Sequence, residues 1–280
     1  MLKRALHLAL AASATFGLAA TSAQAATITI KVGASPSLAN ALVDLIGTFQ
    51  GYYFDNAVSY NVAVTVDSNA NLKAAVLAGG TPSPFDLILT DDSDLVAEFF
   101  RSYSAYVEGT PLPFAYDHID LYSVSLDISH CVTPNFTGPL VIPDPAEDAF
   151  GKAAAKILAA PPFRITTIPN ARVAVQPNVA TAQAGIELGM YPYGIVPKSA
   201  ICTSPAGTPV YPEGSYHHEL PAPLNARYGT IPLTAVKVVN GARSADQVTE
   251  LTAFTNFLTG AGTALGTDVL KRFCYQLSPQ

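Results

Sequence analysis

Hydrophobic and polar positions follow one repeating pattern along much of the chain. Residues 27–32 alternate between apolar and polar as a β-strand does, and the small residues 33–37 lead into apolar positions spaced by three and four from Leu38 to Phe49. The alternation predicts a strand, and the wider spacing predicts an amphipathic helix after a short loop. Such a helix packs back against the sheet to which its strand belongs.

The same order of strand, loop and helix returns several times. The predicted strands cover residues 62–66, 85–89, 121–128, 172–175, 193–196 and 233–239, and the predicted helices cover 72–78, 90–100, 146–158, 179–190, 245–258 and 263–273. This alternation predicts an α/β fold in which mostly parallel sheets carry helices on both faces. The Pro-rich passage 203–232 is long for a loop within a compact domain, so we interpret it as containing a crossing between two lobes.

The first residues have the features of a cleavable signal peptide. Lys3 and Arg4 precede an apolar stretch over residues 5–20, and the small residues Ala23 and Ala25 flank Gln24 as signal peptidase requires. We therefore expect residues 1–25 to be removed and the mature chain to act in the periplasm. An uncleaved membrane anchor is the alternative, although the stretch is Ala-rich and shorter than the roughly 20 apolar residues that a span needs.

The net charge makes nucleic acid a poor partner. The chain carries a formal charge of −6, and removing Lys3 and Arg4 with the signal peptide, which holds no acidic residue, leaves −8. Phosphate backbones require a basic face, which an acidic protein of this kind does not predict.

The three cysteines predict a structural disulfide. Cys131, Cys202 and Cys274 lie far apart and form no Cys-x-x-Cys pair, so neither a zinc site nor a redox motif is indicated. In an oxidising periplasm two of the three can pair, and the spacing does not say which two.

The loops between strands and helices are candidates for binding an anion. Each helix start presents unpaired backbone N–H groups and the positive end of the helix dipole. Ser37 and either Ser68 or Asn69 can add side-chain donors, and the helix starts after Asp144 and Asn178 can face them from a second lobe. The alternative is that these side chains only cap their helices.

A series of short motifs covers residues 32–38, 72–79 with 85–89, 144–145 with Gly151 and Lys156, 194–196, 211–213 and 270–273. Taken together, in order and over nearly the whole mature chain, these motifs resemble the periplasmic molybdate-binding protein family. The resemblance implies an α/β, two-lobed periplasmic binding fold of type II, in which each lobe is a mostly parallel sheet flanked by helices. Residues 26–122 with 231–280 would form lobe I and residues 123–230 lobe II, joined by a two-strand hinge near 122–125 and 230–233.

The same resemblance implies a solute-binding protein of an ABC importer rather than an enzyme. A small oxyanion, with molybdate or tungstate first, would bind in the cleft between the lobes, and an inner-membrane ABC permease would receive it. A monomer without cofactor or metal is expected. Another oxyanion such as sulfate or phosphate, or a small organic acid, is the alternative, and a sensor or an enzyme using the cleft is a further one.

The resemblance also assigns candidate site residues, with departures from the family pattern. Ser37 matches one ligand-binding serine, and Ser68 and Asn69 stand at the position of a second. Val179 matches a backbone donor, while Phe150 and Pro197 occupy positions where the family has a small residue and a tyrosine. A proline supplies neither a hydroxyl nor an N–H group, so Tyr191, Tyr193 or Lys198 would have to replace that donor.

The remaining polar clusters indicate loops and helix caps rather than metal binding or catalysis. Residues 217–219, His-His-Glu, lack the spacing of a metal motif and are interpreted as a solvated loop, and residues 91–94 are interpreted as a capped helix start. No motif for a nucleophilic serine or a phosphate-binding loop is present. A protonated oxyanion needs an acceptor, so Asp144 or Asp91 pointing into the cleft would favour phosphate.

Overall fold

The computed structural model describes residues 26–54, 58–80, 82–130, 139–161, 163–220 and 230–279; the predicted signal peptide and Cys131 lie outside these ranges. The described strands are β1 (Ala26–Ala34), β2 (Val58–Val66), β3 (Leu87–Thr90), β4 (Val107–Asp117), β5 (Ile119–Ser123), β6 (Leu140–Pro143), β7 (Val173–Gln176), β8 (Tyr193–Pro197), β9 (Tyr216–Glu219) and β10 (Ile231–Val238). The described α-helices are α1 (Ala39–Tyr52), α2 (Asn69–Gly79), α3 (Ser93–Ser102), α4 (Ala149–Ala159), α5 (Val179–Glu187), α6 (Lys198–Ile201), α7 (Ala245–Thr259) and α8 (Leu265–Arg272). Short 3-10 helices cover Pro36–Leu38 and Ser104–Tyr106.

The strands form two five-stranded sheets, one for each lobe. The first has the order β2-β1-β3-β10-β4 and the second the order β7-β6-β8-β5-β9. In each sheet two strand pairs are parallel and two are antiparallel, so the sheets are mixed, with four of the five strands running in one direction as predicted for mostly parallel sheets. Every antiparallel pair involves β10 or β5, the strands that follow a passage between the lobes. Each of them runs in the direction opposite to the other four strands of its sheet.

The first passage between the sheets lies at His118. β4 ends at Asp117 in the first sheet, and β5 begins at Ile119 in the second. The predicted hinge at residues 122–125 was therefore placed too late, since Tyr122 is buried inside the second lobe. Residues 117–120, Asp-His-Ile-Asp, contain no Gly or Pro, so the passage lacks the residues that usually mark a break between strands. The return passage includes residues 221–229, outside the described ranges, and its predicted position stays a prediction.

The core around β1 in the first lobe joins a strand-loop-helix unit to helices from later in the chain. Ile30 and Val32 of β1 are fully buried, and Phe49 of α1 packs edge-on against Phe254 and Phe257 of α7. This packing fixes the carboxyl end of β1, from which the 3-10 helix starts. The first lobe's side of the site begins at that point.

The second lobe places its longest helix later than the pattern predicted. α4 begins at Ala149, not at residue 146, because the carboxylate of Asp148 accepts hydrogen bonds from the N–H groups of Phe150 and Gly151 and so caps the helix. A Cβ atom at Gly151 would lie 2.6 Å from the carbonyl oxygen of Asp144, so only glycine fits where the helix crosses its own entry loop.

A disulfide between Cys202 and Cys274 joins the two lobes. Cys202 follows α6 in the second lobe, Cys274 follows α8 in the first, and their Cα atoms are 5.9 Å apart. Beside the disulfide, the N–H of Ser204 donates to the carbonyl oxygen of Arg272 at 2.6 Å. The lobes therefore have a covalent link besides the backbone passages. Within the described ranges, no helix has the length and apolar character that crossing a membrane would require.

Candidate ligand-binding cleft

The two lobes lie against each other around a polar cleft. The 3-10 helix at Pro36–Leu38 in the first lobe contacts α5 in the second. The ammonium group of Lys152 on α4 lies 2.6 Å from the carboxylate of Asp92, which caps α3. The carboxyl ends of β1, β3, β6 and β7 all lead into this cleft, and the helices that follow these strands start there.

On the first lobe's side, two of the predicted donors hydrogen-bond to one buried carboxylate. The hydroxyl of Ser37 donates to Oδ2 of Asp91 at 2.6 Å, and the amide of Asn69 donates to Oδ1 at 2.7 Å. The hydroxyl of Thr90 donates to the amide oxygen of Asn69 at 2.6 Å, which fixes the orientation of the amide. Asp91 is only 2% exposed.

The environment of Asp91 disfavours its ionised form. Burial raises its pKa above the ordinary value, the hydrogen bonds from Ser37 and Asn69 oppose that rise, and the neighbouring charge of Asp92 adds to it. A carboxylate that is removed from water and has another acid beside it holds its proton more firmly than a free one.

On the second lobe's side, the donors are backbone N–H groups and they too bind a carboxylate. Oδ1 of Asp148 accepts from the N–H of Phe150 at 2.8 Å and of Gly151 at 3.2 Å. Burial and then the charge of Asp91 raise the pKa of Asp148 to about 7, although hydrogen bonds from Gly151, Phe150 and Val179 act to lower it. Two buried carboxylates, one from each lobe, thus interact across the cleft.

The inner end of the cleft holds a third buried acid. Asp117, the last residue of β4, accepts hydrogen bonds from the hydroxyl and the N–H of Ser199. Burial raises the pKa of Asp117 to about 7, and Asp91 contributes to the rise. The phenol of Tyr275 donates to the carbonyl oxygen of Ser37 at 3.1 Å, which anchors the 3-10 helix to the segment that carries the disulfide.

A cavity of about 690 Å³ opens between the lobes at the outer side of these groups. Ser68 and Asp67 line it from the first lobe, and Asp144, Glu147 and Asn178 line it from the second. No Lys, Arg or His is among the described residues that line it. The cavity wall is therefore acidic as well as polar.

Solved structures with similar folds cover most of the chain. The periplasmic molybdate-binding protein of Azotobacter vinelandii matches with a TM-score of 0.70 at 16% identity, covering 89% of this chain and 99% of that one. A substrate-binding domain from Clostridium difficile, assigned to a molybdenum ABC transporter, has a TM-score of 0.62 at 13% identity, covering 90% and 100%. A sulfate-binding protein from Mycobacterium tuberculosis H37Rv has a TM-score of 0.60 at 15% identity, covering 88% and 91%. No protein-family profile and no curated protein sequence matches the chain.

The chain has the type II periplasmic binding fold. The two-lobed α/β architecture implied by the sequence motifs is thereby confirmed. At identities of 16% and below, the likeness extends to the fold, and the identity of a ligand depends on the side chains of this chain.

Within this type II fold the predicted site residues do not all lie together. Ser37 and Asn69 meet at Asp91, whereas Ser68 caps α2 by accepting from the N–H of Asn71 and lines the outer cavity. Phe150 and Val179 contribute their N–H groups to Asp148, and both side chains are buried in the second lobe's core. The bulk of Phe150 therefore faces away from the cleft, because the cap at Asp148 turns it inward.

The position of Pro197 offers no replacement donor in the cleft. Pro197 ends β8 opposite Ile119 and is buried. Of the three proposed substitutes, the hydroxyl of Tyr191 accepts from Gln176, Tyr193 is buried in the core of the second lobe, and Lys198 pairs with Glu219 at 2.6 Å.

The His-His-Glu run is a strand rather than a solvated loop. It forms most of β9 at the edge of the second sheet, where it pairs with β5. His217 stacks on Tyr211, and Nδ1 of His218 lies 2.8 Å from the carbonyl oxygen of Ser129. No group of three or more His, Cys, Asp or Glu side chains able to hold a metal ion occurs among the described residues.

Asp148 is the group that sequence reasoning missed. Its signal was available, since an Asp directly before Ala149, with Phe150 and Gly151 next, is a strong N-cap pattern. The helix start was predicted at the nearby Asp144 instead, because a proline follows that residue. Asp91 was considered only as part of a capped helix start or as an inward acceptor, and Asp92 is the residue that caps α3.

Proposed function

We propose that this chain is a periplasmic solute-binding protein that captures a small solute between its lobes and delivers it to an inner-membrane ABC permease. The observation that carries this proposal is the convergence of hydrogen-bonding groups from both lobes on one buried place. Ser37 and Asn69 come from the first lobe, and the N–H groups of Phe150 and Gly151 come from the second.

Capture would proceed by closure of the lobes about the passage at His118. A solute that contacts both lobes stabilises the closed form, because the full set of contacts exists only there. The ion pair between Lys152 and Asp92 spans the same gap and favours closure in addition.

The proposed solute is an oxyanion. The starts of α2, α4 and α5 face the cleft, and helix starts favour negative charge. Molybdate and tungstate follow from the family resemblance, and the similar structures include proteins described as binding molybdate and sulfate. Phosphate and small organic acids complete the set of candidates.

Thermal unfolding of the ligand-stripped mature protein tests this proposal. Molybdate, tungstate, sulfate, phosphate and acetate would each be added at one concentration. A ligand present at about a thousandfold over its dissociation constant stabilises the folded state by about 4 kcal/mol, which raises the melting temperature by several degrees. If none of these anions changes the melting temperature, the chain does not bind an oxyanion.

A second candidate solute is a small organic cation. The acidic lining of the outer cavity favours it, since Asp67, Asp144 and Glu147 would attract an amine. A diamine added to the same thermal series separates the two candidates. Stabilisation by the diamine alone would assign the cleft to cations.

A further inference from the structure

We propose that Asp91 and Asp148 restrict the cleft to oxyanions that carry an acidic proton, such as hydrogen phosphate, and reject sulfate, molybdate and tungstate. This inference rests on the proposed solute-binding function and names the ligand class. It departs from the expectation drawn from the family resemblance.

The first step concerns the donors of the first lobe. Ser37 and Asn69 already donate to Asp91 at 2.6 and 2.7 Å. Sulfate and molybdate are hydrogen-bond acceptors only, so either would have to draw these donors away from the carboxylate. An ionised Asp91 would then be a buried charge without its partners, next to a doubly charged anion, which is a strongly unfavourable arrangement.

The second step concerns the donors of the second lobe. The N–H groups of Phe150 and Gly151 point at Asp148, and the geometry of α4 fixes their direction. An anion that enters here meets a carboxylate at the helix start, where the fold would otherwise offer it unpaired N–H groups. The neighbouring charges that act most strongly on these two acids are also acidic, Asp92 on Asp91 and Asp91 on Asp148.

A protonated oxyanion satisfies both kinds of group. Its O–H can donate to Asp91 or Asp148, and its remaining oxygens can accept from Ser37, Asn69 or a helix N–H. A cation could also donate to the carboxylates, but the positive ends of the α4 and α5 dipoles would oppose it. A ligand with one proton and several acceptor oxygens matches the mixture of donors and acceptors in the cleft.

Titration calorimetry at pH 8 tests the selection directly. We expect the wild-type protein to bind phosphate at least about 100-fold more tightly than sulfate or molybdate, since a site built to bond a ligand O–H strongly rejects analogues that lack it. The variant Asp91→Asn should lose at least about tenfold of that preference, because an amide can donate to an unprotonated anion. Asp94→Asn is the matched control: it removes the same charge from a side chain that is 83% exposed, and should leave the preference unchanged.

A second measurement needs no variant. Lowering the pH from 8 to 5.5 adds protons to buried carboxylates whose pKa is raised, that of Asp148 to about 7. A neutral carboxyl group both loses its repulsion and gains an O–H donor. The affinity of the wild-type protein for sulfate should therefore rise about tenfold at the lower pH, since the protonated fraction of a group with a pKa of about 7 rises about tenfold between pH 8 and pH 5.5.

The outcomes separate this inference from the function on which it rests. Equal binding of sulfate and phosphate at pH 8, with no gain for sulfate at pH 5.5, would overturn the selection and leave the solute-binding function intact. Failure of every anion and of the diamine at both pH values, with the fold verified by circular dichroism, would overturn both. A diamine as the only ligand would also overturn the selection.

Discussion

In each lobe a buried carboxylate accepts the hydrogen bonds of the donors at the cleft, but the two lobes use different kinds of donor. In the first lobe the donors are side chains, Ser37 and Asn69, which turn toward Asp91. In the second they are backbone N–H groups at the start of α4, which bind Asp148. A side chain can be redirected or removed without changing the fold, whereas a helix start keeps its N–H groups whatever the sequence. Ligand choice should therefore be easier to change from the first lobe, and helix stability from the second.

The largest expected effect is of pH on overall stability. Burial raises the pKa of Asp117 in the first lobe and of Asp148 in the second lobe from the ordinary 3.8 to about 7. Between these values the folded chain holds protons that the unfolded chain has released, so stability falls as the pH rises from about 4 to about 7. Urea unfolding at pH 5 and pH 8 measures the difference.

Asp117→Asn and Asp148→Asn, made separately, compare the two lobes in that measurement. Each should reduce the difference between pH 5 and pH 8, since each removes one group that releases a proton on unfolding. Greater stability at pH 8 than at pH 5 in the wild-type protein would contradict the assignment of both groups.

The next effect concerns Phe150, which lies in a core rather than in the cleft. Phe150→Ala should lower the free energy of unfolding by about 4 kcal/mol, because it leaves a cavity among buried side chains of the second lobe. Val43→Ala on α1, where the side chain is 74% exposed, serves as the control in the first lobe and should change little. Chemical denaturation compares them, and a small loss for Phe150→Ala would show that this side chain is not part of the core.

The next smaller loss of stability is expected from removing the disulfide between the lobes. Replacing Cys202 and Cys274 together by serine should lower stability by about 3 kcal/mol, since the bond closes a separation of 72 residues. Cys131→Ser keeps this bond and is the matched control. The melting temperatures of the three proteins provide the measurement, and equal values would contradict a stabilising link.

The smallest effect tests the comparison of side-chain and backbone donors. Asp148→Ala should be less stable than Asp148→Asn by about 1 kcal/mol, because Asn still caps α4 and Ala does not. The corresponding pair at Asp91 should differ less, since Ser37 and Asn69 can rotate to other acceptors. Urea unfolding of the four variants measures both differences, and a larger difference at Asp91 would reverse the comparison.

Much of the fold could be predicted because its determinants are local. The apolar spacing of α1 and the alternation in β1 lie within short windows, and so does the Asn178 cap of α5. Local signals failed where a short element had an unusual composition. β9 holds two His and one Glu at a sheet edge, so its sequence resembles a loop although β5 supplies its hydrogen-bond partners.

The candidate site was less predictable because its contacts join distant parts of the chain. Ser37 and Asp91 are 54 residues apart, and Asn69 and Asp91 are 22 apart. Ser37 and Asn69 could be selected as donors from the sequence, but their acceptor could not. Whether Asp91 caps a helix or faces the cleft depends on which of two adjacent acids starts α3, and only the packed structure decides that.

The link between Cys202 and Cys274 also bears on the order of assembly. The second sheet is built from one continuous stretch, β5 to β9, whereas the first needs β10, α7 and α8, which come later in the chain. A chain that emerges from its amino terminus can therefore complete the second lobe first. The disulfide can form only when α8, which precedes Cys274, has packed against the first lobe. The bond is therefore present only in chains in which both lobes have folded. During folding, trapping of the free thiols of Cys202 and Cys274 should capture the chains whose first lobe is still incomplete.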